Sequence, residues 1–482
     1  MQNLNESLQA KYPHLQISVF NFKKVSTHLI FGSEFNSNTR EQALQTLNLN
    51  SNKTLNDYFD LISTTISSVK ESVYVYDLTH SLGNFMSDVE LSNDDLGSTK
   101  KEAIAADFVI SRLRSYLQEM AVIQPKNFRQ LLSTEYLVYR AKTDLLSANT
   151  LMVFALTKEI QTILNHSQYG TEHPRFYEFV LNEMPIPNAL LALNNEIDLI
   201  MKKAYEILET SKVLYKEAQE LLYKELELDF KNPLESLLKS SLQAKKASEL
   251  AIINDISKKY PHLNISVRPL SKSLYKSGRL DSEYYQSKYD AIERKIKDYQ
   301  GGWGYVKTMF SRNNTTCNFL KDKYKYIEIG DINTSNGMAS FNEIPTNELP
   351  ANAKIMIEKN DILISKVRPY RGAVAIIDFD IKDTIASGAF VVLRENGDFK
   401  KEVLQVLLRT TIYKEWLLKW NVGTSYPVIK DENILDLPIP KINPATQEQI
   451  ALKIQKSFTL RAKSKDLLQN AKIKLENAIE NG

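Results

Sequence analysis

The segment KYPHLQISV, Lys11 to Val19, returns as KYPHLNISV from Lys259 to Val267, with eight of nine residues unchanged at an offset of 248. A match of that length marks two copies of one module in tandem. The correspondence continues through both copies. DFVISRLRSY (Asp107 to Tyr116) answers DILISKVRPY (Asp361 to Tyr370) at an offset of 254, and NEMPIP (Asn182 to Pro187) answers LDLPIP (Leu435 to Pro440) at 253. Insertions and deletions between these anchors are therefore small. Two similar units joined by a long connection form a pseudo-twofold object, which suits a target that itself has two parts.

A chain of 482 residues exceeds one core, and domain sizes allow roughly two to four domains, from which the repeat selects two large ones. No run of 18 apolar residues is present to span a bilayer. The segment MQNLNESLQAKYPHL has neither a basic n-region nor an apolar stretch, so a cytoplasmic protein without membrane attachment is expected. A single cysteine, Cys317, excludes an internal disulfide and a cysteine-rich zinc site. The six histidines show no HxxxH or HExxH spacing, so no metal site is expected. A net charge of +3 does not by itself announce a polyanionic partner, and the local distribution of charge has to carry that argument.

From Asn188 the sequence changes character, with no Gly or Pro until Pro233. Apolar or small residues at Leu193, Ile197, Ile200, Ala204, Ile207, Leu214, Ala218 and Leu221 give the four-three spacing of a heptad seam, interrupted by Ser211. A long helix is predicted here, broken near Asn232-Pro233 and followed by a second helix running into the second KYPHL. From about Ala445 the C-terminus repeats the pattern: Ile197 maps to Ile450, Met201 to Ile454, Leu214 to Leu467, Ala218 to Ala471 and Leu222 to Leu475. Each stripe can lie on its own domain. The matched stripes favour an antiparallel pairing of the two helices as a spacer.

Within the second module the runs 324–332, 353–357, 361–367, 372–378 and 388–394 are β-branched and bounded by Gly, Asn and Pro, and residues 402–420 read as one helix. The first module keeps DFVIS, EMAVI and EYLVYR in the same order before the helix LMVFALTKEIQTIL. The expected fold is α+β: domains at 1–187 and 259–440 with small β-sheets, and long helices at 188–258 and 441–482 forming an antiparallel coiled coil.

Catalytic signatures are missing: there is no GxxxxGK[ST], GxGxxG, GxSxG or HExxH, and no Asn-Pro-Pro-aromatic tetrapeptide. The strongest chemical feature is the basic segment Lys366, Arg368, Tyr370 and Arg371 after a predicted strand, answered by Arg112, Arg114 and Tyr116. Cations alternating with apolar residues also make a solvated strand face. Recurrence of both cations in two diverged copies favours a role, because guanidinium groups bind phosphates and the acceptor edge of guanine. A second feature is the loop after each module's helix, where Gly423, Thr424 and Pro427 recur as Gly170, Thr171 and Pro174. Ser425, Tyr426 and Arg175 lie in these loops, which serve equally as compact turns or as donors to phosphate and base.

With these residues in view, the sequence resembles the specificity (S) subunits of Type I restriction-modification systems. The resemblance rests on the tandem modules, the strand-turn DILISKVRPYRGAVAII, the loop GTSYPVIKDENILDLPIPKINPATQEQIALKI entering a long helix, and RLDSEYY (Arg279 to Tyr285) opening the second module. In the first module RLDSEYY is matched only by IFGSEFN (Ile30 to Asn36), and Pro369, Arg371 and Gly372 have no counterpart. The resemblance implies a subunit without catalysis of its own, whose two target-recognition domains each read one half of a bipartite double-stranded DNA. It implies methyltransferase (M) subunits docked on the coiled coil and restriction (R) subunits completing the complex. S-adenosylmethionine, ATP and Mg would reside on those partners, and DNA methylation and phage defence would be the outcome. Two alternatives stay open: the specificity subunit of a system whose methyltransferase and nuclease are fused, and a coiled-coil adaptor that binds no DNA.

Overall fold

In both modules the β-branched runs form strands, and the same strands pair in the same order. The computed structural model describes all residues except 1, 16, 18, 50, 244–255, 257, 261–267, 380, 424, 425 and 482. The second KYPHL segment lies almost wholly outside the described residues. Two compact units emerge, Met1–Glu209 with Arg461–Gly482, and Thr210–Leu460.

In the first unit one sheet runs Phe59–Ile62, Tyr136–Ala141, Phe108–Ser111, Met120–Val122, and in the second Phe310–Arg312, Phe390–Glu395, Ile362–Ser365, Val374–Ile376. The inner strands are buried on both faces, which suits their unbroken Val, Ile and Leu content. Each unit has a further sheet built around one parallel pair: Val73–Tyr76 beside Gln130–Ser133, and Lys323–Ile327 beside Thr384–Ser387. Both units are α+β, as expected.

Asp107 and Asp361, which open the paired strand motifs, are buried acids. Arg140 Nε and Nη2 grip Asp107 at 2.9 and 2.8 Å, and Arg394 Nε and Nη2 grip Asp361 at 2.8 and 3.1 Å. Asp361 also accepts from the Glu358 N–H and from Asn313 Nδ2. A carboxylate withdrawn from water is tolerable only with such partners.

Two helix predictions need correction. The helix expected over 402–420 is broken into Lys401–Leu408 and Thr411–Leu417, and that expected over 151–164 into Ala148–Ala155 and Lys158–Asn165. The break falls at Thr410 in one unit and Thr157 in the other. Each hydroxyl donates to the carbonyl three residues back, Leu407 and Phe154, both at 2.7 Å, and so competes with the helical ladder.

The long helices are continuous over Asn188–Glu225 and Pro444–Asn481. In the first unit Ile197, Met201 and Ala204 share a buried cluster with Leu468, Ala471 and Leu475, and Ser464 Oγ donates to the Ala204 carbonyl at 2.8 Å. In the second, Tyr215, Ala218 and Leu222 share one with Ile450, Ile454 and Phe458, and Ser457 Oγ donates to the Ser211 carbonyl at 2.7 Å. Glu196 pairs with Lys474 and Glu217 with Lys453, so within each unit partner numbers fall as helix numbers rise. The pairing is antiparallel.

Of the predicted stripe Ile197, Ala204, Ile207 and Ala218 are buried, and the rest is displaced from the seam. The seam runs through Asn194, Ile197, Met201, Ala204, Ser211, Tyr215, Ala218 and Leu222, whereas Leu193, Ile200, Leu214 and Leu221 flank it half-buried. Every one of these seam positions has a buried equivalent 253 residues on, from Gln447 for Asn194 to Leu475 for Leu222. The Asn194 and Gln447 amide oxygens both accept a backbone N–H, from Ser147 and Lys400, the N-cap residues of helices Ala148–Ala155 and Lys401–Leu408. The second helix forms at Pro233–Gln243, and its predicted continuation lies largely outside the described residues.

Candidate functional site

The two recurring motifs, far apart in sequence, meet in each unit. In the second, strand Ile362–Ser365 ends where Ser365 Oγ donates to the Val367 carbonyl at 2.8 Å. Val367 then bridges Val428 of the Gly-Thr loop, and the Ile429 N–H donates to the Lys366 carbonyl at 3.0 Å. Arg368 adopts a left-handed backbone, φ +48 and ψ 55, and its N–H donates to the Pro427 carbonyl at 2.7 Å. That conformation costs a non-glycine residue about 1–2 kcal/mol. Pro369 opens the single turn Pro369–Arg371, its fixed φ suiting the first position.

The first unit repeats this arrangement. Ser111 Oγ donates to the Leu113 carbonyl at 3.1 Å, Leu113 bridges Arg175, and Arg114 sits at φ +50 and ψ 61 with its N–H on the Pro174 carbonyl at 2.8 Å. Two left-handed arginines at matched positions are held there by matched proline carbonyls. The loop glycine is needed in the second unit: a Cβ on Gly423, at φ +141, would stand 2.6 Å from the Tyr426 carbonyl oxygen.

What each arginine touches differs. The Arg368 guanidinium lies 4.4 Å from the centroid of the Tyr426 ring, a cation–π contact, while Arg114 Nη2 reaches His173 Nδ1 at 3.1 Å. His173 and Tyr426 are equivalent loop positions. Tyr116, Tyr370 and Tyr426 stand exposed at 58%, 38% and 62%, and Arg371 is exposed where the first unit has Leu117. Thr171 is exposed, and Thr424 and Ser425 lie outside the described residues.

Three expected contact cations are engaged by carboxylates instead. Lys366 Nζ lies 2.8 Å from Asp431 Oδ1, and Arg312 meets the same carboxylate. Arg112 reaches Glu135 and Glu178, both at 3.1 Å, and Arg175 grips Glu135 at 3.0 and 2.7 Å. The Arg175 hydrogen bonds, with Arg112 adding to them, hold the Glu135 carboxyl below its ordinary range. Glu178 and Asp431 are equivalent acids, so Arg112 and Lys366 stitch loop to turn in the same way in both units. Sequence reasoning passed over these acids, although their shared offset of 253 from each other is legible in the chain.

The outward chemistry is thus a guanidinium on a ring or imidazole, flanked by exposed tyrosines. It can bind an anionic backbone and stack on flat groups. Among the described residues no group of three or more His, Cys, Asp or Glu could hold a metal ion, and no helix is long and apolar enough to cross a membrane.

The family model for the Type I restriction modification DNA specificity domain matches residues 306–476, which include the Arg368 turn, the Tyr426 loop and most of the C-terminal helix. Residues 306–476 belong to that family. The chain also resembles two curated specificity subunits. The Type I restriction enzyme HindI specificity subunit of Haemophilus influenzae is 28% identical over 139 residues, 28% of this chain and 27% of its own. The MjaVIII specificity subunit of Methanocaldococcus jannaschii is 24% identical over 275 residues, 53% of this chain and 62% of its own. Each match spans less than two thirds of the relative. A solved Type I restriction-modification S subunit from M. genitalium aligns over 90% of this chain and 96% of its own, with 12% identity and a TM-score of 0.41.

Proposed function

We propose that the chain is a DNA specificity subunit of a Type I restriction-modification system, in which each unit grips one half of a bipartite duplex. The observation that carries this reading is the recurrence of one left-handed arginine turn, locked to one Gly-Thr loop, in both units. Arg368, Tyr370, Arg371 and Tyr426 contact DNA from the second unit, and Arg114, Tyr116 and Thr171 from the first. Thr424 and Ser425 belong to the same loop by sequence. Lys366, Arg112 and Arg175 act mainly by holding the loops in register.

On this reading the paired helices set the spacing of the two halves and dock methyltransferase subunits, with restriction subunits completing the assembly in the cytoplasm. S-adenosylmethionine, ATP and Mg belong to those partners, and the chain itself does no catalysis. Phosphate neutralisation makes the binding salt-dependent, since each contact releases a condensed counterion. Titrating the purified chain against duplex DNA at several salt concentrations tests this, and affinity falling linearly on a log-log plot is the expected result. A coiled-coil adaptor would show no such dependence. Sequencing the methylome of a host with and without the gene would reveal a two-part motif with a fixed gap, and an unchanged methylome in an active complex would contradict the proposal.

A further inference from the structure

Beside the Arg368 turn the second unit carries a small hairpin, Ile332–Asn333 paired with Met338–Ala339. Its backbone lies against the strand that follows the turn. A Cβ on Gly337, at φ +73, would stand 2.8 Å from the Val374 carbonyl oxygen and would also collide with the Gln405 amide. Arg409, buried, holds three elements together: Nη2 donates to the Thr334 carbonyl at 2.9 Å, Nη1 to the Gly372 carbonyl at 3.1 Å, and Nε to Tyr215 Oη at 2.7 Å. Gln405 Nε2 adds a bond to the Gly337 carbonyl at 3.1 Å.

The first unit meets the same need with other residues. Asn84 stands where Gly337 does, at φ +68, and its own Nδ2 donates at 3.0 Å to the carbonyl of Gln118, the counterpart of Gly372. The position of Arg409 is taken by buried Leu156. The segment's anchorage to the arginine turn is therefore kept while its tip diverges: Asn333, Thr334 and Ser335 are exposed in one unit, Thr79, Leu82 and Gly83 in the other.

A backbone frame shared by both units does not by itself distinguish two unlike half-sites. Discrimination falls to groups beside the grip that differ in chemistry. The Asn333 amide oxygen accepts from the Ser335 N–H at 2.9 Å and that of Asn336 from the Met338 N–H at 2.9 Å, which fixes both amides on the tip. An amide whose oxygen is engaged in this way still has its NH2 as a donor for base acceptors such as the N7 of adenine or guanine, and hydroxyls serve either role. We infer that the hairpin tip Asn333–Asn336 is the base-reading element of the second unit, and that Arg409 is the positioning residue that presents it beside the Arg368 turn. This rests on the DNA reading proposed above.

The test selects duplexes with randomised positions on the purified full chain. Asn333→Asp and Asn336→Asp keep the accepting oxygens but exchange the NH2 donor for a charged oxygen, and Thr334→Val removes a hydroxyl without adding charge, which separates lost base reading from repulsion of phosphate. Each is expected to change base preference at one or two positions of one half-site, by about 5- to 150-fold, and to leave the other half-site intact. Arg409→Leu should blur preference in the same half-site, with partial recovery in Arg409→Lys. If the wild type selects a two-part consensus that all three tip variants leave unaltered, or whose affinity they lower uniformly, the inference is overturned. A wild type that selects no consensus overturns the DNA reading itself.

Discussion

The turn at Arg368 and the turn at Arg114 share a backbone but not a surface. In the second unit the arginine lies over a tyrosine ring, a second arginine follows at Arg371, and Arg409 ties the turn to its hairpin. In the first, the arginine meets an imidazole, Leu117 replaces the second cation, and Asn84 closes the turn. The left-handed residue, the proline carbonyl and the carboxylate stitch persist in both. What survives divergence inside one chain is the part that must hold loops in a costly conformation, and what changes is the part presented outward. The two units should therefore lose stability alike when the shared frame is broken, and lose binding unequally when the outer groups are removed.

The largest effect is expected in the seam. Ile197→Asp and Ile450→Asp place a charge at equivalent fully buried positions and should each cost about 4 kcal/mol or more, seen as a lowered chemical denaturation midpoint. Leu214→Asp, beside the seam and half-buried, should cost distinctly less, and equal losses would restore the original stripe. Next come the buried acids. Asp361→Ala should cost about 3 kcal/mol and Asp107→Ala less, because only Asp361 also holds an asparagine amide besides its arginine and a backbone N–H. Denaturation of the two variants measures the difference, and a larger loss for Asp107→Ala would break the comparison.

Arg368→Ala should weaken duplex binding by about 1–3 kcal/mol, and a purely phosphate-bound arginine would also lower the salt slope by about 1. Arg114→Ala should act in the same direction through the other half-site, and half-site competition assays separate the two. The smallest effect is expected for the ring beneath the arginine. Tyr426→Ala should lose about 0.5–1 kcal/mol of binding, and His173→Tyr should gain no more than that, since it gives the first unit the second unit's stack.

Much of this was legible in the chain. The strands follow from unbroken β-branched runs, and the tandem fold follows from anchors at matched offsets. The helix breaks were missed because Thr157 and Thr410 sit inside apolar periodicity, where their hydroxyls quietly satisfy the preceding turn. Half of the predicted stripe fell beside the seam for a related reason. The seam is lined by Asn194, Ser211, Gln447, Ser457 and Ser464 as well as by apolar residues, so a count of apolar and small residues keeps Ile197, Ala204 and Ala218 but takes in Leu193, Ile200, Leu214 and Leu221 from its flank. At the site, the two loops were found by recurrence, but their joining was not, because it depends on backbone hydrogen bonds to Pro174 and Pro427 that no side-chain pattern records.

The central claim is that the two units read their halves independently on a shared frame. Exchanging residues 260–440 for the corresponding segment of a relative with a different target, in an assembled complex, and then mapping methylated sites tests it most directly. The account predicts a motif in which one half is new and the other is unchanged, and a motif in which both halves change together would contradict it.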